Sequence, residues 1–257
     1  MRDVVSAGGA GGTGALGTGG GAGGASGPAG GGPAGGGPAG ASAEVPKLRG
    51  ALHAGAFPAA AVAGVVLIAL GPTQPARLAA AVYSLTCMAL FGVSGTYHRS
   101  PPGSRRKGVL ARLDHATIFL LIAGTYTPLA VLALRGWTRL SVLAIIWTGA
   151  LTGAAIRLVW QPTWRRLPRW VTTSFFIALG WVAVFVLPQL LSGAGVLVLV
   201  LVLAGGILYS VGAVVYAMKR PDPSPRWFGF HEVFHALTIL AYLAQYAAIS
   251  LVVYRAA

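Results

Sequence analysis

Residues 228–244 read "FGFHEVFHALTILAYLA". They hold two patterns that point to different proteins. His231-Glu232-Val233-Phe234-His235 is the H-E-x-x-H spacing, which on a helix puts two imidazoles on one face, able to pinch one metal ion. The residues that follow are almost wholly apolar, with no later charge before Arg255. A soluble metallohydrolase helix would show a polar face, whereas this run has the length and character of a membrane span. The second pattern decides the fold, because it recurs along the chain.

The composition agrees. Of 257 residues 55% are hydrophobic and only 9% charged, with a mean hydropathy of +0.72. Soluble domains carry about a quarter charged residues, so the balance is that of a membrane protein. Seven apolar stretches near the roughly 20 residues that cross a bilayer fall at 54–70, 77–98, 113–134, 139–158, 171–190, 195–218 and 230–253. Turn-formers such as Gly71-Pro72, Pro101-Pro102-Gly103 and Pro221-Asp222-Pro223 separate them. In lipid such stretches satisfy their backbone as helices, which predicts an all-α, seven-helix polytopic protein. The fifth is the least regular, because Pro188 and Gln189 are expected to end it early. Residues 1–46 are low-complexity, and 20 of the 38 glycines lie in the first 50 residues. The expectation is a disordered tail, with no cleaved secretory signal, ahead of a membrane domain at 47–257.

The net charge of +14 suggests nucleic acid in a soluble protein, but here the cations mark topology. If the N-terminus is cytoplasmic, Arg2, Lys47 and Arg49 lie inside. So do Arg99, Arg105, Arg106, Lys107 and Arg112, then Arg157, Arg165, Arg166 and Arg169, then Lys219, Arg220 and Arg226. Those fifteen face four outside, at Arg77, Arg135, Arg139 and Arg255. The bias predicts a cytoplasmic N-terminus, an outer C-terminus and residence in a plasma (bacterial inner) membrane. The expected partners are membrane lipids, with anionic headgroups at the basic loops, and no nucleic acid. Oligomeric state is left open. Cys87 alone can form no intramolecular disulfide and reads as a small hydrophobe.

Ionisable groups in membrane helices are rare and usually functional. On this topology His98 ends the second helix, Asp114 begins the third, and His231 and His235 begin the seventh, all at the cytoplasmic level. Three imidazoles and a water make the open tetrahedral site of a catalytic zinc. Asp114 is then placed to orient that water or take its proton, although an acid in a first turn also suits the helix dipole. Ser94, one turn from His98, is placed to donate a hydrogen bond to a substrate oxyanion, or else to its own helix backbone. His115 is turned away toward a neighbour or headgroups, and His53 reads as interfacial. "AGTYTP" at 123–128 reads as a proline-relieved kink with packing glycine and threonines, with cavity-shaping by Thr125 or Tyr126 as the alternative. The seven tryptophans are expected mostly near helix ends.

For a zincin, Glu232 would be the general base, but no His, Asp or Glu follows His235 to supply a third ligand. The segments "SGTYHRS" (94–100), "RLDHATIFLLIAGTYTPLAVLAL" (112–134) and "GFHEVFHALTIL" (229–240) instead resemble the three signature segments of the hemolysin III family. That family is similar to the progestin and adipoQ receptors and more distantly to alkaline ceramidases. The resemblance spans about residues 50–253 and implies zinc on His98, His231 and His235, with Asp114 holding the water and Ser94 near it. It also implies that the H-E-x-x-H spelling is incidental. The glycine-rich tail departs from the family pattern. Three functions follow as expectations: a zinc-dependent hydrolase of lipid amide or ester bonds linked to membrane-lipid homeostasis or cytolysis, a non-enzymatic sensor or receptor with structural zinc, or a pore-forming cytolysin.

Overall fold

The computed structural model describes residues 46–159 and 169–256. All but Pro46 of the expected tail falls outside them, as do Trp160, Trp164, Arg165 and Arg166. Helices α1 (Ala51–Ala69), α2 (Gln74–Arg99), α3 (Arg105–Ala133) and α4 (Gly136–Val159) follow one another. Then come α5 (Arg169–Gly180), a 3₁₀ turn (Trp181–Val186), α6 (Leu187–Ala194), α7 (Val196–Met218) and α8 (Phe230–Tyr254). Seven of the resulting segments are long and apolar enough to cross a membrane, the fifth being Thr173–Ala194. The all-α, seven-span reading therefore holds.

Local chemistry sets the helix starts. Thr73 accepts a hydrogen bond from the Ala76 N–H ahead of Pro75, and Ser104 accepts one from the Lys107 N–H. Packing then sorts the helices by depth. In α3, 67% of the apolar window is buried, against 6% in the fifth span, so α3 is central and the fifth span peripheral. Close approach of α2 and α3 needs Gly124, because a Cβ there would collide with the Thr86 side chain. Small residues at such crossings are how membrane helices gain contact without a hydrophobic driving force.

One expectation changes. Pro188 does not end the fifth span. The helix breaks earlier, into the 3₁₀ turn, and Pro188 sits in the first turn of α6, where its missing N–H costs nothing. The break is held from α3: the Tyr126 hydroxyl donates to the Gly180 carbonyl at 2.7 Å and accepts from the Ala183 N–H at 2.6 Å. Tyr126 thus shapes the interior, while α3 runs unbroken through Pro128 and Thr125 and Thr127 bond their own helix. The described tryptophans sit mostly near helix ends, as expected, namely Trp137, Trp170 and Trp227, and two are internal. Trp147 donates to Thr127 at 3.1 Å and Trp181 to Ser210 at 2.9 Å, because an indole N–H inside a bundle must find an acceptor.

Candidate metal centre

The end of α2, the third turn of α3 and the start of α8 meet near one end of the bundle; α3 begins at Arg105 rather than at 113, so Asp114 is not the expected first-turn acid. His98, His231 and His235 each offer a ligand atom, and these atoms lie within 4.8 Å of one another. The His98 and His231 Nε2 atoms are 3.0 Å apart. Zinc–nitrogen bonds of about 2.05 Å at tetrahedral angles separate ligand nitrogens by about 3.3 Å, so the pair is already near a zinc edge. Nδ1 of His235 is buried with no hydrogen-bond partner. Three neutral nitrogen donors and nearby carboxylate oxygen suit zinc, and the residues present fit it.

Asp114 stands beside the cluster, its Oδ2 3.9 Å from His98 Nε2. Ser94, buried on α2, lines the same cavity as that carboxylate. All five candidate residues are thus brought together. They line one end of a cavity of about 430 Å³ whose body is walled by apolar side chains such as Ile118, Leu121 and Phe176. The cavity runs to Tyr126, Trp181 and Gln245. From His235 to Gln245 is ten residues of α8, a depth of about 15 Å. His115 also lines it, with Nδ1 2.9 Å from its own helix's Ala111 carbonyl.

Glu232 lies outside this chemistry. Its Oε1 accepts from Arg49 Nε at 2.6 Å and its Oε2 from the Gly229 N–H at 2.9 Å. Both oxygens are committed and the side chain is only 1% exposed. Arg49 arrives on a strap before α1: Lys47 N–H donates to the Arg226 carbonyl, and the Lys47 ammonium sits 4.2 Å over the Trp227 ring. The middle glutamate of the H-E-x-x-H spelling therefore anchors the strap to the start of α8.

Sequence reasoning missed two residues. Arg49 looked like topology charge alone. His53 is no interfacial residue: it is 2% exposed, and its ring stacks on His235 at 3.7 Å between centroids and 3° between planes. The available signal was its place in the first turn of α1, three residues earlier than the expected start, inside an apolar run.

A seven-span membrane protein with a three-histidine centre at one end of an internal cavity is the class this arrangement defines. Within that class, residues 42–246 match the Haemolysin-III related family, and the chain belongs to it. It is 35% identical over 147 residues to the hemolysin-3 homolog of Bacillus subtilis (strain 168), covering 56% of this chain and 66% of that protein. It is 36% identical over 151 residues to hemolysin-3 of Bacillus cereus, covering 58% and 65%. The match thus spans just under two thirds of either relative's length.

Proposed function

We propose that this integral membrane protein is a zinc-dependent hydrolase of lipid amide or ester bonds, with its N-terminus cytoplasmic and its substrate drawn from the surrounding plasma membrane. The observation that carries the reading is the convergence of three histidine ligand atoms, a carboxylate and a hydroxyl at the end of an apolar cavity. His98, His231 and His235 would hold the ion. Zinc there supplies Lewis acidity, polarising a carbonyl and acidifying a water to a pKa of about 7.

The chain's own residues do the rest. Asp114 accepts a proton from the attacking water and returns it to the departing amine or alcohol, so that one water is consumed and a fatty acid and a neutral leaving group result. Ser94 holds the Asp114 carboxylate in place. Ile118, Leu121 and Phe176 take the acyl chain and exclude bulk water, which strengthens each electrostatic contact at the head. Lys107, which also lines the cavity, favours substrates with an anionic headgroup.

The test begins with metal stoichiometry by mass spectrometry on detergent-purified wild type, His98→Ala and His235→Ala. About one zinc per chain, lost in both variants, ties α2 and α8 into one site. Acyl release from a lipid panel is then compared between wild type and His235→Ala. Equal rates refute hydrolysis; stoichiometric zinc that stabilises the fold without turnover favours a sensor. Dye release from liposomes that depends on the protein would favour a cytolytic pore.

A further inference from the structure

His53 has a role of its own. A buried imidazole with neither ring nitrogen hydrogen-bonded is unfavourable unless something offsets it, and both nitrogens of His53 lack partners. Its contacts are made through the ring. One face lies parallel to His235, and the ring meets Phe91 at 5.2 Å and 74°. Phe91 in turn meets Tyr242 edge-on at 5.2 Å and 86°. α1 is pressed close enough for this because Gly95 on α2 has no side chain, a Cβ there falling 3.0 Å from the Ala54 backbone.

A histidine that ligates metal almost always has its other ring nitrogen hydrogen-bonded, which fixes the plane of the ring. Among the described residues no hydrogen bond fixes the plane of the His235 ring in that way, whichever of its nitrogens takes the ion. What stands against the His235 ring instead is the face of His53. His53 is not a fourth ligand. Imidazole lone pairs lie in the ring plane, so a parallel ring 3.7 Å away cannot aim at an ion held in the plane of His235.

We propose that His53 is a positioning residue for the three-histidine centre, its ring face holding His235 in the orientation that presents the ligand nitrogen. The contact favours the metal-bound state specifically. A bound cation draws electron density from His235, and the negative face of a neutral aromatic ring attracts an electron-poor one. An interaction that strengthens on binding raises affinity; one that is equal in both states would not. The inference rests on the metal-site reading above but not on hydrolysis.

The experiment measures Zn²⁺ and Co²⁺ affinity by chelator competition on the full chain in detergent, for wild type, His53→Leu and His53→Phe, with the Co²⁺ visible spectrum recorded for each. His53→Leu is expected to bind about tenfold more weakly, the scale for groups that orient metal ligands, with an altered Co²⁺ spectrum. His53→Phe keeps the face without the nitrogens and is expected within about twofold of wild type on the same grounds. Wild-type affinity in His53→Leu overturns the proposal. So does an equal loss in both variants, which would assign the effect to a nitrogen. Absence of metal in wild type fails the site reading instead, and is seen separately. Should His53→Leu not fold, histidine-labelled wild type is read by NMR: stacking shifts the His235 ring protons upfield, and unshifted protons overturn the proposal.

Discussion

Replacing Glu232 with Gln separates the two meanings of the H-E-x-x-H spelling. If Glu232 were a general base, neutralising it would remove about 10²–10⁴ in rate and leave the fold intact. In the geometry described, its carboxylate instead pairs with Arg49 at 2.6 Å and caps the Gly229 N–H. Breaking a fully buried ion pair costs about 3–5 kcal/mol, and an exposed one about 0–1 kcal/mol. Glu232 is 1% exposed but Arg49 is 22% exposed, so the stranded guanidinium regains part of its hydration. Glutamine also keeps an acceptor for Gly229. The expected loss is therefore intermediate, about 2 kcal/mol, or a fall in Tm of about 4–8 °C for a domain of this size.

The assay is thermal unfolding in detergent with zinc content and lipid turnover measured on the same samples. Glu232→Gln should lower Tm, keep wild-type zinc stoichiometry and stay within about tenfold of the wild-type rate, well short of the loss of a general base. Arg49→Ala should lower Tm by a similar amount. The double variant should fall short of the sum, since both changes remove one interaction. An unchanged Tm with turnover abolished would refute the strap assignment and restore Glu232 as a base.

Other parts of the fold give sharp expectations. Tyr126→Phe removes both hydrogen bonds that hold the break in the fifth span, and should cost about 2 kcal/mol, read as a lower Tm and faster proteolysis near Trp181–Val186. Gly124→Val drives a side chain into Thr86 and should cost about 2–3 kcal/mol by overpacking, whereas Gly108→Ala, with open space around it, should be near neutral. Topology is testable with an impermeant maleimide, because native Cys87 is 1% exposed and gives no background. Trp137→Cys should label in intact cells and Pro102→Cys only after lysis; the reverse pattern would overturn the cytoplasmic N-terminus.

The features legible in the sequence are those that depend on position along a helix. Seven spans emerge from apolar length, and four of the five candidate residues from asking which polar groups share a membrane level. His98, His231 and His235 sit at helix ends, where depth is fixed by the count of residues from a loop, and Asp114 shares their level although α3 begins well before it, at Arg105. What stayed hidden depends on azimuth and on partners. His53 and Arg49 precede or begin α1 at the same depth as the cluster, yet depth alone does not say that one faces His235 and the other Glu232. That is set by how α1 crosses α2, through Gly95, and by a strap whose hydrogen bonds to Arg226 and Trp227 are made by backbone atoms. The break in the fifth span was hidden for the same reason. Pro188 is visible in the sequence, but the break is fixed by a tyrosine 54 residues from the carbonyl it binds. Where a membrane helix is nearly unburied, as this one is, its own apolar sequence has little to specify its irregularities. The polar groups of its better-packed neighbours then do so, which is why the single phenol of Tyr126 both holds that break and walls the cavity beside it.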